Sequence, residues 1–164
     1  MKFNIFYDKS TYMITFLCFC LIFGLPILFF FADRDISFCM VFLAICCPIL
    51  VVSAAFAPRC YVVEQDKIII KKVIGKITFY KDDIETITTI EPKVVKEMYR
   101  KFAVGGFFGF YGLFYSRALK NVYMYAGTMK ASNLLLIKLK NDKKYVISPK
   151  GIEDFLLCVK EKRG

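Results

Sequence analysis

Two long apolar runs dominate the first third of the chain. Residues 12–32 and residues 36–57 contain no charged side chain. At about 1.5 Å of rise per residue, each run is as long as the hydrocarbon core of a bilayer is thick, about 30 Å. Because the runs are apolar on every helical face, they predict two membrane-spanning helices. The alternative, two core helices of a soluble protein, would need both runs buried on all sides within a chain of 164 residues.

Three charged residues, 33–35, separate the two runs, which predicts a tight antiparallel hairpin with both chain ends on one side. One basic residue lies at this tip, whereas several flank the runs, among them Lys2 and Arg59. Positively charged flanks remain in the cytoplasm. The sequence therefore predicts a multi-pass protein of the cytoplasmic (inner) membrane, with residues 1–11 and 58–164 cytoplasmic. A cleaved signal peptide is the alternative for the first run, but that run is too long and lacks a cleavage site.

After residue 57 the pattern changes to short β-branched stretches separated by turn residues. These stretches predict seven strands, at residues 60–64, 67–73, 76–80, 84–90, 121–126, 133–140 and 143–148. The first four follow one another so closely that they predict an antiparallel meander. The dipeptide Asn141-Asp142 predicts a tight turn between the last two.

The end of the chain has the pattern of one amphipathic helix. Ser148 suits the N-cap, and Pro149 suits the first helical position. Apolar residues then recur at helical spacing: Ile152, Phe155, Leu156 and Val159. Three basic residues suit the negative end of the helix dipole: Lys160, Lys162 and Arg163. The helix is therefore expected to pack one stripe against the sheet.

The composition agrees with a protein that is partly solvated by lipid. Apolar residues make up 57% of the chain, and the mean hydropathy is +0.50. The whole net charge of +10 lies in residues 58–164, because residues 1–57 hold three basic and three acidic side chains. Neither run contains an ionisable residue, so the hairpin alone is not expected to form a transport pathway.

No catalytic or metal-binding group emerges from the residue types. The chain has seven cysteines, none with the paired spacing of a zinc or redox motif, and no histidine. Without histidine, Ser116, Cys60 and Cys158 lack the commonest activating base. Asp82 and Asp83 are adjacent, so on a strand they point to opposite faces. We therefore expect a protein that is not an enzyme and that needs no cofactor and no metal.

The second part of the chain resembles a known family. The stretch GGFFGFYGLFYSRALKNVYMYA, followed by LLLIKL, DKKYVISP and the terminal helix, is similar to the bacterial pleckstrin-homology (PH) domain family of small membrane-anchored proteins. The likeness covers about residues 59–160. It implies a PH-like seven-stranded antiparallel barrel or sandwich closed by a C-terminal helix, and it implies no activity. The expected fold is thus an α+β membrane protein with a cytoplasmic segment 1–11, a transmembrane hairpin 12–57 and a PH-like domain 58–164.

One candidate binding site is the Gly-aromatic segment, residues 103–115, which carries four glycines and no charge. It is too short to span a bilayer. One interpretation is a wedge at headgroup depth, with Lys101 and Arg117 holding phosphates. The aromatic residues of this wedge are Phe107, Phe108, Phe110, Tyr111, Phe114 and Tyr115. The alternative is a loop whose aromatic side chains cap the barrel. Nucleotide binding is not expected, because the glycines lack the strand-and-helix context of a dinucleotide motif.

The second candidate is a basic surface around two turns. Its residues are Lys71, Lys72 and Lys76 at one turn, and Lys138, Lys140, Lys143 and Lys144 at the other. Near an anionic leaflet each such charge contributes about 1 kcal/mol of attraction. The alternative is a solvated hairpin without a ligand. Phosphoinositide recognition is not favoured, because the loop that would carry it, residues 64–67, is mostly acidic or neutral. No nucleic-acid motif accompanies the positive charge, so nucleic acid is not an expected partner.

These observations lead to two functional hypotheses. The first is a membrane-anchored, non-enzymatic binding module whose cytoplasmic domain recognises anionic lipid, a peptide or a protein partner. The second is a structural or assembly subunit of a membrane complex, or a homo-oligomer, that packs through the Gly-aromatic segment.

Overall fold

The computed structural model describes residues 1–33 and 36–161. Within them the chain forms four α-helices and ten strands. The helices are α1 (Lys9–Asp33), α2 (Ile36–Phe56), α3 (Pro92–Lys96) and α4 (Ile152–Glu161). The strands are β1 (Lys2–Asn4), β2 (Pro58–Val63), β3 (Lys67–Lys72), β4 (Lys76–Tyr80), β5 (Ile84–Thr89), β6 (Tyr99–Gly105), β7 (Phe110–Ser116), β8 (Lys120–Ala126), β9 (Leu135–Leu139) and β10 (Lys144–Ile147).

The two apolar runs form the long helices α1 and α2, which lie side by side. Both are long and apolar enough to cross a membrane, and only 6% and 0% of their most apolar stretches are buried. They are therefore not the buried core of a soluble domain, and their exposed apolar surfaces indicate membrane association. The predicted tip residues Arg34 and Asp35 lie outside the described residues.

The strands form two sheets with two hydrophobic clusters. The first cluster combines residues of both sheets with α4, and the second combines residues of the second sheet with Val95 of α3. The first sheet has the order β1-β2-β3-β4, and the second sheet has the order β5-β9-β10-β8-β7-β6. Among the described residues the backbone pairing does not close these sheets into a barrel. The prediction of seven antiparallel strands was also wrong, because β10 inserts between β9 and β8 and pairs with β8 in parallel, Tyr145 opposite Tyr123. Likewise, β5 leaves the predicted meander and pairs with β9 in the other sheet.

Three strands were missing from the sequence prediction. β1 adds the first residues of the chain to the edge of β2, with Phe3 opposite Tyr61. It is only three residues long, so the alternation of Lys2, Phe3 and Asn4 is too short to predict a strand. β6 and β7 lie in the stretch that was expected to be irregular, because glycine is depleted in strands. Pairing with neighbouring strands on each side of β7 outweighs that propensity.

The terminal helix α4 begins at Ile152, so the predicted N-cap at Ser148 was wrong. The hydroxyl of Ser148 instead accepts a hydrogen bond from the backbone N–H of Gly127 (2.8 Å) and donates to the carbonyl of Phe6 (3.3 Å). These tertiary bonds bind the N-terminal segment to the sheet. Lys160 lies in the last turn of α4, as expected, whereas Lys162 and Arg163 lie outside the described residues.

Phe155 of α4 joins the two sheets at the centre of the core. It is fully buried, and its ring lies 5.1 Å from that of Phe3 and 6.5 Å from that of Tyr61, between ring centroids. The Tyr61 hydroxyl donates to the carbonyl of Tyr125 (2.6 Å) and accepts from the N–H of Ser148 (3.0 Å). Burial raises the pKa of Tyr61, so this phenol stays neutral and connects the first sheet to the second.

The strand directions give the domain two distinct ends. The helix-proximal end, beside α1 and α2, contains the start of β2, the β3–β4 turn, the β6–β7 turn and the end of β8. The helix-distal end contains the β2–β3, β7–β8 and β9–β10 turns. Strands of four to seven residues separate the two ends, which corresponds to about 13–23 Å at 3.3 Å per residue.

Candidate functional site

The C-terminal end of α2 is capped by the β-rich domain. The last carbonyls of a helix have no partner within it. Here the carbonyl of Ser53 accepts a hydrogen bond from the Tyr111 hydroxyl (2.5 Å), and that of Ala55 accepts one from the N–H of Ile74 (2.8 Å). Burial raises the pKa of Tyr111 to about 12, which keeps the phenol protonated as a donor. The hairpin and the domain are therefore joined by more than the peptide linker.

The N-terminal end of α1 is capped by Asp8. Its carboxylate accepts from the N–H and the hydroxyl of Thr11 (both 2.9 Å) and from the hydroxyl of Thr128 (2.9 Å). The single proton of the Thr11 hydroxyl is shared between this carboxylate and the carbonyl of Gly127 (2.8 Å). Burial by itself would raise the pKa of Asp8, but these hydrogen bonds and the charge of Lys130 more than offset it and lower that pKa. An ionised Asp8 thus links α1 to the end of β8.

The Gly-aromatic segment forms a hairpin whose tip contacts α1. β6 and β7 are joined by a turn at residues 106–109. The N–H of Phe108 donates to the Thr15 hydroxyl (3.1 Å), and the rings of Phe107 and Phe108 each lie 6.0 Å from that of Phe19. A Cβ on Gly106, whose φ is +93°, would lie 2.7 Å from the side chain of Ile14. Glycine is needed here because the turn approaches α1 so closely.

The other aromatic residues of the Gly-aromatic segment are not at the turn. Phe114 is buried in the core, and Tyr111 is buried with its hydroxyl on α2. Phe110 packs against the core, and Tyr115 lies 5.1 Å from Tyr99 at the helix-distal end. The structure therefore brings two of the six predicted aromatic residues, Phe107 and Phe108, to the junction with α1.

The two cations assigned to the Gly-aromatic segment lie away from its turn. Lys101 lies within the edge strand β6, beside a bulge between Arg100 and Phe102. Arg117 follows β7 in the β7–β8 turn at the helix-distal end. Neither cation is brought together with Phe107 and Phe108.

The β3–β4 turn lies directly beside the end of α2. The N–H of Val73 donates to the carbonyl of Ala57 (3.2 Å), next to the bond from Ile74 to α2. The side chains of Val73 and Ile74 are 56% and 64% exposed. Three predicted site residues surround them, namely Lys71, Lys72 and Lys76, and the Lys72 ammonium lies 5.3 Å from the ring centroid of Phe56. This turn therefore presents apolar side chains within a ring of positive charge.

The remaining predicted lysines lie at the helix-distal end. Lys138 pairs with Glu85 (2.9 Å), and Lys144 pairs with Asp142 (3.5 Å). Lys140 and Lys143 are exposed beside them. The structure thus separates the seven lysines into two groups at opposite ends of the domain, and they do not share one face.

Several contact residues were not selected from the sequence. Thr15 and Ser53 stand out as polar interruptions in apolar runs, which was the available signal. Val73 and Ile74 are two β-branched residues where a turn predicts polar ones. Arg59 was counted only for topology, although it lies exposed at the junction. Within residues 1–33 and 36–161, no group of three or more metal-ligating side chains is found.

Comparison with known proteins adds one finding. A family model described as a bacterial PH domain matches residues 59–163, which is well over half of the chain and contains every strand from β3 to β10. A search of curated proteins and a search of solved structures found no match.

Proposed function

This chain belongs to the bacterial PH domain family, and from that premise we propose that it is a membrane-anchored, non-enzymatic binding module. In this proposal α1 and α2 cross the inner membrane as a hairpin. Both chain ends and the PH domain lie on the cytoplasmic side. The helix-proximal end of the domain rests on the anionic leaflet, and anionic lipid is the ligand that the geometry favours over a peptide or a protein partner.

The observation that carries the proposal is the β3–β4 turn. Val73 and Ile74 are exposed at the level where α2 ends. If α2 spans the bilayer, this level is the interface between headgroups and acyl chains. Apolar side chains that would be unfavourable in water are stabilised there by burial among lipid. The same turn in a domain held away from the membrane would leave both side chains in water.

The distribution of charge supports the same orientation. Lys71, Lys72 and Lys76 surround the exposed turn, and three lysines near an anionic leaflet contribute about 3 kcal/mol of attraction. The acidic residues of the β2–β3 turn, Glu64 and Asp66, lie at the opposite end, where a negative leaflet would not repel them. The domain therefore has a cationic end toward α1 and α2 and an end of mixed charge away from them.

A tryptophan reporter tests this orientation. The chain contains no tryptophan, so the full-length variant Ile74→Trp has a single one. In nanodiscs of phosphatidylglycerol with brominated acyl chains, we expect its fluorescence to be strongly quenched, because the inserted indole contacts the bromine atoms. Adding Lys71→Gln, Lys72→Gln and Lys76→Gln removes about 3 kcal/mol of attraction. Those three changes should weaken the quenching and abolish its dependence on anionic lipid.

Two controls accompany this measurement. Tyr99→Trp places the reporter at the helix-distal end, at a site that is 57% exposed, and it should not be quenched. Lys140→Gln with Lys143→Gln removes charge from that end and should leave the quenching of the Ile74→Trp variant unchanged. Equal quenching of both reporters, or none at position 74, would contradict the proposal.

Assembly is a second candidate function, and one observation favours it. Phe102 on the edge strand β6 is 88% exposed. It borders an apolar cleft of about 520 Å³ that also involves Phe56 of α2 and Tyr111 of β7. An exposed phenylalanine on an unpaired strand edge is a site where a second chain can add. The turn of the Gly-aromatic segment is occupied by contacts with α1, so β6 is the better surface for this role.

For the assembly hypothesis we expect Phe102→Ser to reduce the yield of cross-linked dimers of the full chain in native membranes. Burying one phenylalanine contributes about 1.5–3 kcal/mol, so the loss should be severalfold or more. Tyr80→Ser, at a 56% exposed position on β4, is the matched control. If both variants cross-link as well as the wild type, the β6 edge is not an assembly surface.

A further inference from the structure

A cleft of about 470 Å³ lies where α1, α2 and the PH domain meet. We call it the junction cleft. Its lining includes Tyr12 and Thr15 of α1, Ala54 of α2, and Arg59 and Val73 of the domain. The helical residues among them lie in the first turns of α1 and at the end of α2. The junction cleft therefore lies at the level at which the apolar runs begin and end.

A second space, the interhelical groove, continues from this cleft along the two helices. Its volume is about 280 Å³, and Ala54 and Phe108 line both spaces. The rest of its lining is Phe19, Phe23, Cys47, Leu50 and Val51. From Ala54 to Cys47 the groove follows two turns of α2, about 10 Å at 1.5 Å per residue. The junction cleft, which carries Arg59 and several hydroxyl groups at the helix ends, thus leads into an apolar groove within the spans.

The charge at the opening is positive. Arg59 is exposed, and it takes part in none of the ion pairs found among the described residues. Lys9 is exposed one helical turn before Tyr12, so the two lie on the same face of α1. Among the residues that the structure describes, none of those lining the junction cleft is acidic. The carboxylate of Asp8, directly before α1, is engaged by Thr11 and Thr128.

Three hydroxyls of the junction cleft already have partners, and among the described residues that line it Arg59 alone carries a charge. The Tyr7 hydroxyl donates to the carbonyl of Pro58 (3.0 Å), and the Thr15 hydroxyl donates to that of Thr11 (2.8 Å). The Thr11 hydroxyl is bound to Asp8 and Gly127. The Arg59 guanidinium is therefore the group best suited to bind an anion at this opening. Its planar donors match the oxygens of a phosphate.

We propose that the junction cleft and the interhelical groove together bind one anionic phospholipid from the surrounding leaflet. The phosphate lies on Arg59, with Lys9 adding long-range attraction, and one acyl chain lies between Phe19, Phe23 and Leu50 against Phe108. This site deepens the proposed function, and it rests on the proposed insertion of α1 and α2 in the membrane. It lies at the helix-proximal end of the domain. The β2–β3 loop, which would carry phosphoinositide recognition, lies at the helix-distal end.

The surroundings favour a lipid over other occupants. The groove opens along exposed apolar faces of α1 and α2, which include Phe23 and Val51 at 43% and 68% exposure. Lipid is the solvent of such faces in a bilayer, and an acyl chain is the group present at high concentration beside them. An extended protein segment entering the groove would need partners for its backbone hydrogen bonds there, and the described residues that line the groove are apolar.

Native mass spectrometry of the full-length chain tests the site. The delipidated chain in detergent is titrated with phosphatidylglycerol or with phosphatidylcholine. We expect one phosphatidylglycerol to be retained per chain in preference to phosphatidylcholine. Arg59→Gln should weaken that retention about fivefold, the effect of one interfacial charge. Lys143→Gln removes the same charge at the helix-distal end and should change nothing.

A steric variant tests the groove itself. Ala54→Trp fills the point at which the cleft and the groove meet, and it should abolish retention. Val52→Trp, 56% exposed and lining neither space, is the matched control. In case Ala54→Trp disturbs the packing of the helices, the variant Phe23→Trp reports from inside the groove. Brominated phosphatidylglycerol should quench it at a one-to-one ratio in detergent, and it should quench the Val52→Trp variant only at large excess.

Four results would overturn the lipid site: equal retention of phosphatidylcholine, no retained lipid, full retention by a folded Ala54→Trp variant, or a groove filled by a second copy of the chain. These results are distinguishable from failure of the proposed function. Retained phosphatidylglycerol with an unquenched Ile74→Trp variant would leave the lipid site standing and remove the docked orientation. The reverse pattern would keep the orientation and remove the site.

Discussion

Replacing Phe155 with alanine is expected to lower the free energy of unfolding of the PH domain by about 3–5 kcal/mol. The side chain is fully buried and belongs to a cluster that includes Phe3 and Tyr61 of the first sheet and Ile137 of the second, so its removal leaves a cavity between the two sheets. The total stability of a domain is about 5–15 kcal/mol, so this loss is a large share of it. Urea denaturation of the detergent-solubilised full chain, followed by the near-ultraviolet circular dichroism of its tyrosines, measures the change.

The matched control for this substitution is Leu157→Ala on the same helix. Leu157 is 56% exposed, and surface substitutions usually change stability by less than about 0.5 kcal/mol. An equal loss of unfolding free energy for the two variants would show that α4 contributes through its helical propensity. It would contradict the placement of Phe155 at the centre of the core.

Replacing Asp8 with alanine is expected to lower stability by about 1.5–5 kcal/mol. The loss combines an N-cap, about 0.5–2 kcal/mol, with a buried hydroxyl that loses its acceptor, about 1–3 kcal/mol. That hydroxyl belongs to Thr128, whereas the Thr11 hydroxyl keeps the carbonyl of Gly127 as an acceptor. Because the bonds link α1 to β8, hydrogen exchange at the N–H of Thr11 should accelerate in the full chain held in nanodiscs. Ser10→Ala, at an exposed position in the same turn, should leave exchange and stability unchanged.

Asp8 is also expected to make the stability of the folded chain depend on pH. The pKa of Asp8 is lowered in the folded chain, because hydrogen bonds and the charge of Lys130 outweigh burial. A carboxyl group with a lowered folded pKa stabilises the fold at pH values above its unfolded pKa, and that contribution is lost as the pH falls through the folded value. The stability of the wild type should therefore fall more steeply in acid than that of Asp8→Asn. Parallel curves for the two proteins would show that the carboxylate is not the stabilising form.

The parts of the fold that were predictable depend on local periodicity. Residues 12–32 and 36–57 are recognisable because apolar side chains on every face have one stable environment, lipid. The strands at residues 60–80 and the apolar stripe of α4 follow because the spacing of apolar residues records which face is buried. The likeness to bacterial PH domains rests on the same stretch of chain that the family comparison matches.

The features that were missed depend on contacts between distant parts of the chain. β1 exists because β2 offers an unpaired edge 58 residues away, Phe3 opposite Tyr61. The start of α4 differs from its prediction because Ser148 bonds to Gly127 and Phe6 and is not available as a cap. The β6–β7 hairpin forms although its glycines disfavour strands, because its turn contacts Thr15 and Phe19 of α1.

By itself, the sequence determined that this chain has two apolar helices, a basic β-rich domain of the bacterial PH family and a final amphipathic helix. Each of these follows from residue type and spacing, which act over a few turns or strands. Only the tertiary structure decided that the lysines divide between opposite ends and that Val73 and Ile74 lie beside α2. It also decided that Arg59 lies above a groove between the helices. The reason is that pairing of distant segments sets the direction of each strand, and no local pattern records which end of a strand meets which helix.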